Sequence, residues 1–164
     1  MKRTIRKFTP QPMTLRHRLP FVSREVLLSR GERAFYRALT YALRGRYLIA
    51  VKVRAADILS CSERHWKEGY GHMIARHHVD FTLCERTTTR ILLAIELDDK
   101  SHDRKPRQRR DRFLNLAFEA ADVSLVRFIA RSRYDANVIR EVIDREVGQR
   151  LILPRNRSLK SFSA

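Results

Sequence analysis

Four short apolar, β-prone segments most constrain what this chain can fold into: Tyr47 to Val53, His78 to Cys84, Ile91 to Leu97 and Val123 to Ile129. Each has the length and the β-branched or aromatic content of a single strand. The second and third are joined only by the polar stretch Glu85 to Arg90, so a hairpin is the simplest connection. Helical patterns occupy the other intervals. Ser29 followed by Glu32 is a capping-box pair, and Phe35, Ala38, Leu39 and Ala42 then recur at helical spacing, which predicts a helix over about 30–43. Between the first two strands, Ser60 and Glu63 are placed to cap one short helix around Trp66. Pro106 suits a helix start, and Phe113, Leu114, Ala117, Phe118 and Ala121 form a stripe ending at Asp122, a residue that tolerates a left-handed turn. A second long helix is therefore expected over 105–121. A last one runs from Tyr134 through Val138, Val142 and Val147. The expected fold is α/β, with the order αβββαβ and an extra C-terminal helix: a mixed four-stranded sheet flanked by helices.

With 164 residues, 43% of them hydrophobic, the chain suits one core rather than two. Residues 1–26 read as a basic N-terminal arm, 27–153 as the folded domain and 154–164 as a basic tail. Met1 to Arg24 carries seven Lys or Arg and no acid, and the chain after Glu146 again lacks acid. Such arms either clamp a polyanion or simply stay solvated. No apolar run approaches a membrane span or a secretory signal, and Pro10, Pro12 and Pro20 interrupt any amphipathic presequence helix. Two cysteines, Cys61 and Cys84, are too few for a disulfide framework. Together with His65, His72, His77 and His78 they match no zinc-ligand spacing. A reducing, cytoplasmic setting with no membrane partner is the expectation. Thirty-five Lys and Arg against eighteen Asp and Glu leave a net charge of +17. Counterion release then makes a phosphate polymer the expected partner, and charge alone does not choose between DNA and RNA.

The chemistry concentrates on the hairpin. If its midpoint lies near Thr88, Asp80 faces Glu96, and Asp98 shares a face with Glu96 because strand side chains alternate. Two carboxylates about 5 Å apart repel by on the order of 3 kcal/mol at an effective dielectric of about 20. Such a cluster must be protonated, paired with arginine or occupied by a cation. Hard oxygen ligands favour Mg²⁺ or Mn²⁺. Asp80 lies between Val79 and Phe81 in an apolar strand, where a bare charge is costly. A surface network of acids and arginines is the competing explanation.

The strings His78-Val79-Asp80-Phe81 and Ala94-Ile95-Glu96-Leu97-Asp98-Asp99-Lys100-Ser101-His102, then Arg110-Asp111-Arg112 and Leu125-Val126-Arg127-Phe128, resemble the PD-(D/E)XK nuclease superfamily. They are most similar to its very-short-patch-repair-endonuclease-like branch and a related bacterial domain family of unknown function. The resemblance covers roughly Leu27 to Ile129. It implies a restriction-endonuclease-like core, a metal-dependent nuclease activity on DNA, hence DNA ahead of RNA as the partner, and Asp80 and Glu96 as metal ligands. Glu32 resembles the first-helix acid that many members present to the metal, although its place three after Ser29 also explains it as a helix cap. Where the superfamily's motif has a lysine two residues after the second acid, this chain has Asp98. That departure removes the motif's usual positive group and moves attention to His102 as general acid or base, or as a brace for the following turn, and to Lys100 as a substitute charge.

Asp111 falls at helical spacing from Leu114 and Phe118, a position better suited to orienting a neighbour than to holding metal. Lys100, Arg104, Lys105, Arg107, Arg109 and Arg110 crowd the start of the second long helix, where a helix N-terminus and arginine forks both suit phosphate. A solvated basic face is the alternative. Two functions follow: a Mg²⁺- or Mn²⁺-dependent endonuclease or nickase, or a catalytically inactive nucleic-acid-binding accessory domain of the same fold. Double-strand cutting by so small a protein would need two successive nicks or a homodimer.

Overall fold

The computed structural model describes residues 20–98 and 105–152, with side chains for 20–98 and 111–149. The first helix, α1 (Arg30–Leu43), starts on the expected capping box: Ser29 Oγ accepts from the Glu32 amide (3.3 Å) while Glu32 Oε2 accepts from the Ser29 amide (2.8 Å). It ends at Arg44, whose φ of 47° is left-handed and lets its amide donate to Thr40 O. Phe35, Leu39, Ala42 and Leu43 form its buried side.

The four strands are β1 (Leu48–Arg54), β2 (His78–Cys84), β3 (Ile91–Asp98) and β4 (Ser124–Ile129). They lie in the order β1-β2-β3-β4, antiparallel across the first two junctions and parallel across the third. The parallel junction requires a crossover, which α5 (Lys105–Ala120) supplies. The sheet is thus mixed and flanked by helices. β2 and β3 are central, so both their faces are covered and their residues run as near-continuous apolar stretches.

Two cores lie on the two faces. On one, α1 and α6 (Ala136–Ile152) bring Phe35, Leu39, Ile139 and Ile143 against Phe81, Leu83, Leu93 and Ile95. On the other, Leu114 and Phe118 of α5 pack with Ala94, Val79, Ala55 and Ile74. Phe35 is wholly buried and meets Phe81, Phe128 and Tyr134 at centroid distances of 5.4, 4.9 and 5.0 Å. Truncating such a side chain costs about 3–5 kcal/mol.

One strand pair breaks the alternation. Val51 and Phe81 belong to the first core, yet Val53 and Val79, two residues along, belong to the second. The switch coincides with Lys52, whose φ of 54° is left-handed. A non-glycine residue there turns the strand about its axis and exchanges the faces its neighbours present.

Between β1 and β2 the expected single helix is instead three short ones, α2 (Ala55–Ile58), α3 (Glu63–Lys67) and α4 (Tyr70–Ala75). The cap of α3 is Ser62, not Ser60: its Oγ accepts from the His65 amide (3.4 Å) and meets His65 Nδ1 (2.8 Å). Gly71 sits so close to Trp66 that a Cβ would fall 2.0 Å from the indole. The last helix begins at Ala136 rather than Tyr134. Tyr134 turns into the core while its hydroxyl accepts from the Arg131 amide (2.9 Å). Asp122 has the left-handed φ (55°) expected at the end of α5. No helix among the described residues is long and apolar enough to cross a membrane.

Candidate active site

The hairpin between β2 and β3 closes through Glu85–Arg90, with the Glu85 amide donating to Arg90 O (2.8 Å) and the Thr89 amide to Glu85 O (3.0 Å). Leu83↔Leu93, Thr82↔Ala94 and Phe81↔Ile95 pair in register, with an irregularity between Leu83 and Cys84. Continued by one residue, this register sets Asp80 opposite Glu96, as the Thr88 midpoint predicts. The main-chain ladder stops short of that point. Asp80 Oδ2 accepts from the Leu97 amide (2.9 Å), so a carboxylate bridges the strands where regular pairing ends.

The other oxygen of Asp80 faces Lys52. Lys52 Nζ donates to Asp80 Oδ1 (2.8 Å) and to Glu32 Oε1 (2.7 Å), joining α1, β1 and β2 at one point. The three side chains are mostly shielded, with Asp80 15%, Glu32 18% and Lys52 30% exposed. Burial disfavours the charges of Glu32 and Lys52, but the contacts outweigh it. Hydrogen bonds from Lys52 and Ser29 hold the Glu32 carboxyl below the ordinary glutamate value, and bonds to Asp80 and Glu32 hold the Lys52 ammonium above the ordinary lysine value. The backbone strain at Lys52 costs about 1–2 kcal/mol. Strain that persists marks a position the surroundings over-determine, and such positions cluster at functional sites.

Glu96 on β3 is buried, at 9% exposure. Asp98, two residues on, goes elsewhere. Its Oδ1 accepts from Arg127 of β4 (2.7 Å), whose Nε and second terminal nitrogen also reach Asn115 Oδ1 on α5 (3.3 and 3.1 Å). Parallel pairing of Glu96↔Arg127 and Asp98↔Ile129 brings this arginine alongside. The expected convergence of Asp80, Glu96 and Asp98 is therefore not what forms. Among the described residues no three His, Cys, Asp or Glu side chains are grouped to hold a metal ion. Electrostatics gives the reason: the acids avoid mutual repulsion by taking separate cations, Lys52 for Asp80 and Glu32, and Arg127 for Asp98.

The acid pair that does converge is Glu32 with Asp80. Glu32 acts as cap and as site residue at once, one oxygen for each role. Its donor set with Asp80 is hard and anionic, and Mg²⁺ commonly takes one or two protein carboxylates and completes its shell with water or phosphate. The pair fits such an ion. Asp111, half-buried on α5, shows no ion pair among the described residues. Lys100, His102 and Arg104 lie outside the described residues. Lys105, Arg107, Arg109 and Arg110 belong to α5 by their backbone, their side chains lying outside the description.

Sequence reasoning missed Lys52 and Arg127. The signal for Lys52 was present, since Val51-Lys52-Val53 embeds a charge in an apolar strand just as Val79-Asp80-Phe81 does. Residues 24–147 match the family model described as protein of unknown function (DUF2726). The chain belongs to this family. The matched span takes in Glu32, Lys52, Asp80, Glu96, Asp98 and Arg127, so the whole charged constellation lies within the DUF2726 domain. No curated protein and no solved structure matches the chain.

Proposed function

We propose that this chain is a metal-dependent nuclease that hydrolyses DNA phosphodiester bonds as an endonuclease or nickase, on a restriction-endonuclease-like core. The observation that carries this reading is that Glu32 Oε1 and Asp80 Oδ1, from a helix and a strand far apart in sequence, aim at a single cation position at the open end of the hairpin that also bears the buried Glu96. Two shielded carboxylates aimed at one ammonium contribute less to folding than apolar packing of the same volume commonly would. In this reading Asp80 and Glu32 hold Mg²⁺ or Mn²⁺, and Glu96 is drawn in as a third ligand only when the ion binds. The ion supplies charge stabilisation at the phosphate and a more acidic bound water. Asp98 tethers Arg127 beside the site, leaving that arginine partly exposed toward an incoming phosphate. His102, Lys100 and the basic start of α5 follow β3 directly in the chain, and we assign them to proton transfer and to backbone contact. The net charge of +17 supports a phosphate polymer as the partner.

Purified protein with Mg²⁺ or Mn²⁺ should nick or cut supercoiled plasmid, and Glu96→Ala, folded by circular dichroism, should lose roughly a hundred-fold or more of that rate. Equal rates in the two proteins, or no cutting by either, would remove the enzyme assignment.

The second reading, a catalytically inactive nucleic-acid-binding domain, is favoured by the ion pairs themselves, because Asp80 and Glu32 already share Lys52, and Asp98 already has Arg127, without metal. It requires salt-sensitive DNA binding that is unchanged in Asp80→Ala and Glu96→Ala.

A further inference from the structure

Each carboxylate facing Lys52 has its other oxygen fixed by a main-chain amide. Glu32 Oε2 accepts from the Ser29 amide and Asp80 Oδ2 from the Leu97 amide. Neither acid depends on the lysine for its position: one is set by the first turn of α1 and the other by the backbone of β3. The ammonium, by contrast, sits at the end of a four-carbon stem with several rotatable bonds. The fixed parts of this triad are the anions, and the movable part is the cation.

Charge points the same way. Among the described residues one ammonium faces two carboxylates, a balance of one negative unit, and the register continued one residue past Phe81↔Ile95 sets the buried Glu96 opposite Asp80. A divalent ion in the same place would balance the pair. It would also repel the ammonium, so the two cations cannot share the position.

We infer that Lys52 is a resident counter-ion that a divalent metal displaces, and that the released ammonium, anchored by the left-handed kink in β1, swings to the substrate side of the site. This rests on the metal site proposed above and adds to it that the site is held ready by an internal cation. Lys52 then also supplies a positive group beside the phosphate, in place of one two residues after Glu96.

The test is Mn²⁺ binding to the full chain, measured by isothermal titration calorimetry for wild type, Lys52→Met and Lys52→Gln, with folding checked by circular dichroism. Removing the competing charge should tighten Mn²⁺ binding by about ten-fold. The same variants should cut plasmid about a hundred-fold more slowly at saturating Mn²⁺, because the positive group is gone. Tighter metal with slower cutting is a combination that a merely structural lysine would not produce. Equal or weaker Mn²⁺ binding in the folded variants overturns the exchange. Should both variants fail to fold, the Nζ resonance of Lys52 in wild type decides: it should shift as diamagnetic Mg²⁺ saturates, and a resonance unmoved at saturation overturns the inference. Wild type that exchanges its ammonium for metal yet cuts nothing bears out the exchange and overturns the nuclease reading. Wild type that cuts while Lys52→Met binds Mn²⁺ no more tightly does the reverse.

Discussion

The two ends of the β2–β3 hairpin both carry carboxylates, and they satisfy them in opposite ways. At the turn, Glu85 accepts from the Thr87 amide (3.0 Å), the Thr88 amide (2.6 Å) and the Thr88 hydroxyl (2.5 Å), all within three residues of itself. At the open end, Asp80 and Glu32 accept from a lysine 28 and 20 residues away, and Asp98 from an arginine 29 residues away. The carboxylate at the turn is satisfied within its own loop. The open end exists only once α1, β1, β3 and β4 are assembled, so its charges report tertiary structure.

The largest expected effect lies at the open end. Asp80→Ala removes the acceptor of the Leu97 amide and one partner of Lys52 together, and should lower stability in urea denaturation by about 3 kcal/mol, the order found when one member of a shielded ion pair is deleted. Asp80→Asn keeps an oxygen for Leu97 and should cost about half as much. Equal losses in the two variants would mean the charge is irrelevant and the strand bridge is everything. Next comes Arg127→Gln. Its partner Asp98 is 44% exposed, so solvent screens the pair and the loss should be about 0.5 kcal/mol. A loss several times larger would show that Arg127 restrains the site more tightly than its exposure implies.

The smallest effect is at the turn. The Thr88 hydroxyl and the Thr87 and Thr88 amides hold the Glu85 carboxyl at about 2, against an ordinary value of 4.5. Because the folded value is depressed, its contribution is fully present above pH 4.5 and disappears as pH falls through 2. The stability difference between wild type and Glu85→Gln should therefore shrink over that window, and the Glu85 side-chain carbonyl signal should titrate near pH 2 by NMR. A midpoint near 4.5 would make the turn no more self-sufficient than the open end.

What could be read in the sequence divides along the same line. The capping box at Ser29 and Glu32, the bounds of β2, and the opposition of Asp80 and Glu96 all follow from short-range rules: cap spacing, alternation and a short hairpin. Arg127 was out of reach because β4 joins β3 in parallel after a crossover, and nothing local ties Asp98 to a residue so far along. The left-handed turn at Lys52 was equally hidden, since a lysine rarely adopts it and no neighbouring glycine marks it. Between Ala55 and His77, three short helices follow one another with no long apolar period, and the capping-box spacing of Ser60 and Glu63 points two residues ahead of the actual cap, Ser62. Tyr134 read as the start of a helix because its apolar ring fits the spacing, whereas the ring is spent on Phe35.

The double engagement of Glu32 ties the mechanics of the chain ahead of α1 to the site. One carboxyl group clasps both the first amide of the helix cap and the tip of Lys52, so unwinding the opening turn would loosen the cation in the same movement. A pull on the segment leading into Ser29, from any partner that seizes it, would work on that carboxyl like a thumb on a latch.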